Sequence, residues 1–183
     1  MAYFTAVLSP EGSGDDRDWR SVDVDLEAGS PDELADVLRG AVDGDDPVLA
    51  VLEREDEWFA LVRTDGDGDA RVFVSDAVAA ADSAYAPLFA ELPAAGELAT
   101  GAAGADDEAA DDEEDEEEAV AEEAAGPGTL VEDVWAGDPE LLADLGCPAR
   151  VLLRLAASGE DPSAATVEIG ELLGFADVVE SLR

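Results

Sequence analysis

Three short segments between Val48 and Val74 constrain the fold more than anything else in this chain. In Val48 to Leu52, Val48, Ala50 and Leu52 fall on one face of an extended strand, and Leu49 and Val51 on the other. In Glu57 to Arg63, Trp58, Ala60 and Val62 oppose Phe59 and Leu61. Both faces of both segments are therefore apolar, and a strand apolar on both faces needs cover on both. The third segment is Arg71 to Val74. The first connection, Arg54-Glu55-Asp56, is short and charged. The second, Asp65-Gly66-Asp67-Gly68-Asp69, contains Asp-Gly pairs that supply the positive φ angles of a hairpin turn. The three segments are expected to form a meander inside a layered domain.

The flanking sequence supplies more strands and part of the cover. Ala2 to Leu8 reads as a strand and Ser9 to Asp18 as a polar loop. Trp19 to Leu26 alternates, with Val22, Val24 and Leu26 on one side and Ser21, Asp23 and Asp25 on the other, as in a half-exposed edge strand. Ser30-Pro31-Asp32-Glu33 is a helix start with a cap, a proline at the first helical position and a capping-box glutamate. Leu34, Val37, Leu38 and Ala41 mark the face of that helix. Ser75-Asp76 is expected to cap a second helix from Ala77 to about Ala84, with Tyr85 to Leu92 available to extend it beyond Pro87. The fold class is thus α+β, an antiparallel sheet of about five strands in the order β-β-α-β-β-β-α. In element order this resembles longin and roadblock-type folds, which serve as interaction modules.

Residues 129–183 read differently. Asp138-Pro139, Cys147-Pro148 and Asp161-Pro162 each set a cap-like residue before a proline, and Gly146, Gly159 and Gly174 suit the helix ends. The segments between present Leu141, Leu142 and Leu145; then Val151, Leu152 and Leu155; then Ala165, Ile169, Leu172 and Leu173. Phe175 to Leu182 reads as a last short helix. An all-helical piece of about 55 residues is marginal alone. It is expected to pack on the sheet, in cis or on a second copy. The division expected is an α+β domain at 1–92, an acidic disordered linker at 93–128, and a helical segment at 129–183.

The linker is the densest part of a very acidic chain. Asp111 to Glu118 is eight carboxylates without a break, and thirteen lie between Asp106 and Glu123. The formal net charge is −39, and without that stretch 35 acids still face nine arginines. Such a surface repels phosphate backbones, because nucleic-acid affinity rests on cations that release counterions. Direct nucleic-acid binding and anionic membranes are disfavoured, and a partner with a basic face is favoured. Solubility alone is the plainer explanation of the charge. No segment approaches the ~20 apolar residues that span a bilayer, and Met1 to Leu8 lacks the basic n-region of a signal peptide. A single cysteine, Cys147, fits a reducing cytoplasm.

The chain contains no histidine, which excludes Ser-His-Asp and Cys-His triads and histidine zinc sites within it. The zinc deaminase signature needs His-x-Glu and Pro-Cys-x-x-Cys, so this chain is not itself such a deaminase. Asp65, Asp67 and Asp69 imitate the start of an EF-hand loop. However, Ala70 stands where the glycine should be and Asp76 where the glutamate should be. Gly12-Ser13-Gly14 is followed by acids, unlike a phosphate-cradling loop. Cys147 reads as a small apolar or capping residue. Trp135 reads as a core residue, with an exposed interface anchor as the alternative. No catalytic, cofactor-binding or metal-ligating residue is assigned, and no cofactor is expected.

Several stretches carry a family resemblance: Met1 to Leu8, Pro47 to Leu52, Trp58 to Arg63 and Arg71 to Ala77 in the first part, then Gly137-Asp138, Leu141 to Gly146 and Glu171 to Asp177 in the second. Together they resemble the actinobacterial tRNA adenosine deaminase-associated proteins. The resemblance covers residues 1–92 and 129–183 and includes no active-site motif. It implies a non-enzymatic accessory or interaction protein working with the tRNA adenosine deaminase. The alternative is an acidic nucleic-acid mimic or chaperone-like protein that binds basic partners. A homo-oligomer is left open.

Overall fold

The computed structural model of the chain describes residues 3–11, 18–24, 26, 30–42, 47–66, 68–93 and 134–183. The acidic tract of residues 94–128 lies outside the described residues. The centre is an antiparallel sheet formed by β1 (Tyr3–Glu11), β2 (Asp18–Val22), β3 (Val48–Arg54), β4 (Trp58–Thr64), β5 (Arg71–Val74) and β6 (Ala136–Gly137), in the order β2-β1-β3-β4-β5-β6. Six strands stand where about five were expected. The sixth comes from beyond the acidic tract and pairs Ala136 with Val74 and Gly137 with Phe73.

The apolar alternation of the central strands sorts their side chains as the sequence requires. Leu49 and Val51 of β3 and Phe59 and Leu61 of β4 enter one core cluster. Val48, Ala50 and Leu52, with Trp58, Ala60 and Val62, enter the other. The second face is covered by α1 (Pro31–Gly40), α2 (Ala77–Ala80) and α3 (Ala86–Phe89), through Leu34, Leu38, Ala80, Leu88 and Phe89. The first face is covered by α4 (Ala149–Ser158), α5 (Pro162–Leu173) and α6 (Ala176–Leu182), through residues such as Leu152, Leu155, Ile169 and Val179. The molecule therefore has three layers, with the helical segment docked on the sheet of its own chain.

Local signals account for most boundaries. The Ser30 hydroxyl accepts from the Glu33 amide at 3.2 Å, and Pro31 opens α1. Asp76 accepts from the Ala79 amide at 2.8 Å, and Asp161 from the Ser163 amide at 2.8 Å. Gly146, Gly159 and Gly174 all take left-handed conformations at helix ends, where a side chain would be strained.

Other expectations are corrected. The polar loop shrinks because β1 runs on to Glu11 and pairs with β2 from Asp18, with Pro10 opposite Trp19. Among the described residues β2 ends at Val22, although Val22, Val24 and Leu26 do share one core. On α1, Val37 is exposed and Ala35 buried. The helix expected from Ala77 is two single turns, interrupted where the Ser83 hydroxyl donates to Ala80 O and accepts from the Tyr85 amide. After Asp138-Pro139 there is only a 3-10 turn, Ala143–Leu145, since Leu141 and Leu142 are both driven into the core from adjacent positions. Pro148 occupies the cap position of α4 with no side-chain cap, so Cys147 does not cap it. Leu172 faces outward.

Candidate interaction site

Two charged groups are buried on the face that the C-terminal helices cover, one at each end of the central strands. Arg63 lies near the end of β4 with its side chain 6% exposed. Its Nη1 donates to the Leu141 carbonyl at 2.7 Å and to Asp144 Oδ1 at 2.5 Å. Its Nη2 reaches Asp144 Oδ2 at 2.7 Å, and its Nε donates to Asp65 at 2.8 Å. Burial alone would lower the guanidinium pKa, but the hydrogen bonds and charges of Asp144 and Asp65 outweigh it and the pKa rises. The Arg63 hydrogen bond in turn holds the Asp144 carboxyl below its ordinary value. Beside it, Arg71 Nε donates to Asp138 at 2.7 Å. These pairs fasten the segment that follows the tract onto the sheet.

The same seam is closed through the backbone. Gly137 N donates to Pro93 O at 2.9 Å, Asp138 N to Val72 O at 2.7 Å, and Ala77 N to Val134 O at 2.7 Å. Pro93 and Val134, the described residues on either side of the tract, thus both lie at one edge of the sheet. Trp135 is half-buried against this seam, its ring stacked on Phe73 at 5.9 Å. It belongs to the core side of the two readings.

At the other end, Glu53 of β3 is 4% exposed and accepts from the Thr166 hydroxyl and from Arg183 Nη2, the latter at 2.6 Å. Arg183 also lies over the Phe4 ring at 5.0 Å. Phe4, Glu53 and Arg183 form one wall of a cleft of about 510 Å³, whose rim adds Tyr3, Glu55, Asp56 and Asp161. Hydrogen bonds from the Ser163 side chain and backbone amide hold the Asp161 carboxyl below its ordinary pKa. Sequence reasoning did not single out Arg63, Glu53 or Arg183. A charge at an apolar strand position is the signal that could have found the first two.

The remaining chemistry is spent structurally. Cys147 is fully buried, and desolvation, helped by the Glu168 charge, pushes its thiol up to about 11, leaving it protonated and unreactive near neutrality. In the aspartate-rich turn, Gly66 takes the positive φ that the Asp-Gly sequence calls for. The turn carbonyls of Gly66 and Gly68 accept hydrogen bonds from Arg39. Asp67 lies outside the described residues. Among the described residues no cluster of His, Cys, Asp or Glu is arranged to hold a metal. Among them, too, no helix is long and apolar enough to cross a membrane.

The family model described as Rv3753c-like tRNA adenosine deaminase-associated protein matches residues 12–176. The chain belongs to that family. The match takes in the sheet from β2 to β6, the Arg63 seam, and helices α1 to α5. β1, whose Tyr3 and Phe4 border the cleft, and most of α6 lie outside it. No curated protein matches the chain. No solved structure matches it either, and the likeness to longin and roadblock-type folds rests on element order alone. Within this deaminase-associated family, the described residues thus supply a tightly fastened scaffold with an acidic cleft at one end of β1 and β3.

Proposed function

We propose that the chain is a non-enzymatic accessory protein that binds the tRNA adenosine deaminase named in its family's description, its acidic surface meeting the basic tRNA-binding face of that enzyme. Membership of the deaminase-associated family carries this reading. The disposition of charge supports it. Six of the described arginines, Arg39, Arg54, Arg63, Arg71, Arg154 and Arg183, are paired with carboxylates of the chain. What faces outward is an excess of Asp and Glu from a chain of net charge −39. Such a surface draws a cationic partner by long-range attraction and repels phosphates, so the protein binds the enzyme and not its RNA. Binding there regulates or shields the basic face. The lack of histidine and the buried, protonated Cys147 support a role without catalysis of its own. A single buried thiol fits the cytoplasm, where the tRNA substrate resides.

Pull-down of the deaminase from the native cell with the full chain, at low salt, tests the reading. Capture is expected, weakening as salt screens the charges. It should also weaken in part when Asp106 to Glu123 are deleted. No capture at low salt refutes it. The net charge itself favours a second reading, an acidic mimic or chaperone-like protein with many basic clients. Mass spectrometry of the same eluate separates the two: one enriched partner supports the first, a broad set of basic proteins the second.

A further inference from the structure

We propose that Glu53 and Thr166 form a seat for an arginine side chain, which Arg183 fills from within the chain. An arginine of a basic partner exchanges into that seat and frees α6 from the sheet.

The seat stands on the folded core. Glu53 lies in register between Phe4 of β1 and Phe59 of β4, on the face whose other side chains are apolar. Its side chain is 5% exposed. A carboxylate in such surroundings has to be met by donors, and a cation meets it best. Thr166, itself fully buried, donates its hydroxyl to Glu53 Oε1 from α5.

Arg183 meets this carboxylate incompletely. Among the described residues all three hydrogen bonds of its guanidinium come from Nη2, to Glu53 Oε1 at 2.6 Å, Thr166 Oγ1 at 3.0 Å and the Ser163 carbonyl at 3.4 Å. Both donors to Glu53 therefore end on Oε1, and Oε2 receives no hydrogen bond among the described residues. A guanidinium presented in the plane of the carboxylate donates to both oxygens at once, which is the stronger arrangement. That preference selects arginine over lysine, whose ammonium lacks the planar fork.

The internal occupant is also lightly held. α6 has seven residues, too few to be stable as an isolated helix, and no side-chain cap. Val179 is its one fully buried side chain, and Leu182 is exposed. The Arg183 side chain is 28% exposed and lines the cleft of about 510 Å³, so a competing cation reaches the pair without crossing the core. Asp56 and Asp161 on the rim raise the local concentration of cations. Once Arg183 lifts, α6 keeps only the contacts of Val179 and the partly buried Val178 with the core. Occupation of the seat in trans is thereby coupled to opening of α6.

The test uses the isotope-labelled full chain and a peptide of four arginines separated by glycines, with a citrulline version as the uncharged control. Affinity is read from the amide signals of Glu53 and Thr166, so that binding elsewhere on the acidic chain does not count. The arginine peptide is expected to shift those signals and to speed solvent exchange of the α6 amides while the sheet amides stay protected. The citrulline peptide is expected to do neither. Arg183→Gln empties the seat. In that variant α6 is expected to exchange several-fold faster without any peptide, and the arginine peptide to bind about tenfold more tightly. An internal occupant in place about nine-tenths of the time lowers apparent affinity by that factor. Glu53→Gln keeps the shape and an acceptor for Thr166, and is expected to weaken the peptide about tenfold or more at the same signals, as loss of a charged partner does. Unchanged α6 exchange in Arg183→Gln, no gain in its affinity, or undiminished binding by Glu53→Gln overturns the proposal.

This deepens the accessory reading, on which the identity of the basic partner rests, and the two fail separately. Deaminase capture that Glu53→Gln leaves at wild-type strength removes the seat and keeps that reading. Peptide exchange at the seat with no deaminase captured at low salt does the reverse.

Discussion

Replacing Arg63 with methionine tests whether the buried guanidinium is what fastens the segment after the tract to the sheet. Methionine keeps most of the apolar stem and removes the charge and every donor. The magnitude follows from the unequal burial of the partners. The Arg63 side chain is 6% exposed, whereas those of Asp144 and Asp65 are 57% and 42% exposed. Once Arg63 is gone, both carboxylates regain water and contribute little to the loss. The Leu141 carbonyl does not, because Leu141 is fully buried, and an unsatisfied buried acceptor costs about 1–3 kcal/mol. Adding the lost charge-assisted bonds, discounted for solvent at the carboxylates, the expected destabilisation is about 2–4 kcal/mol. For a chain of this size that is a fall in Tm of about 2–4 °C per kcal/mol.

Asp144→Ala removes only the exposed partner and leaves Arg63 its bonds to Asp65 and Leu141, so about 1 kcal/mol or less is expected. Urea unfolding at constant m gives both numbers. Equal costs for the two variants, or a cost for Arg63→Met below about 1 kcal/mol, would refute the reasoning. The pH dependence has a definite sign. A carboxyl held below its ordinary value adds stability that is present above the unfolded-state pKa and is lost as pH falls through the folded one. The gap between wild type and Arg63→Met is therefore flat near neutrality and begins to close only as pH drops below the ordinary Asp value of 3.8.

Four further outcomes are expected. Deleting Asp106 to Glu123 leaves the fold intact and raises stability by about half a kcal/mol, because Pro93 and Gly137 already touch and a shorter loop costs less to close; a large loss in urea unfolding would show that the tract packs on the fold. Gly137→Ala places a Cβ 2.0 Å from the Val72 carbonyl at a φ of +93°, whereas at Gly146, with φ +110°, the added carbon meets nothing within 4 Å. The first should cost well over 2 kcal/mol, and the second only the strain of about 1–2 kcal/mol, so equal unfolding midpoints would contradict the close approach. Cys147 should resist iodoacetamide in the native protein at pH 8 and react on addition of urea, and rapid native labelling would contradict its burial. Trp19→Phe forfeits the indole bond to the Leu173 carbonyl at 2.7 Å, while the Trp58 indole N–H is buried with no partner among the described residues. Trp19→Phe is therefore expected to cost about 1 kcal/mol more than Trp58→Phe, and the reverse ranking in urea would refute the assignment.

Much of this architecture is written locally. The alternation of Val48 to Leu52 and Trp58 to Val62 requires a sheet covered on both sides, since a side chain's face follows from its parity along a strand whatever lies opposite. The caps at Ser30, Asp76 and Asp161 and the glycines at 146, 159 and 174 act within a few residues, so their signals survive without knowledge of the fold. The extremes of charge, and the missing histidine, limit chemistry and partners in the same way. Contacts between distant segments were decided by the tertiary structure. Ala136 and Gly137 are too short a run to read as a strand, and become one because β5 offers an edge and Gly137 admits the Val72 carbonyl. Arg63 looks like the polar end of a strand until Leu141 and Asp144 close over it. In each case the deciding partner lies far along the chain, and nothing in the local sequence specifies what the fold brings beside it.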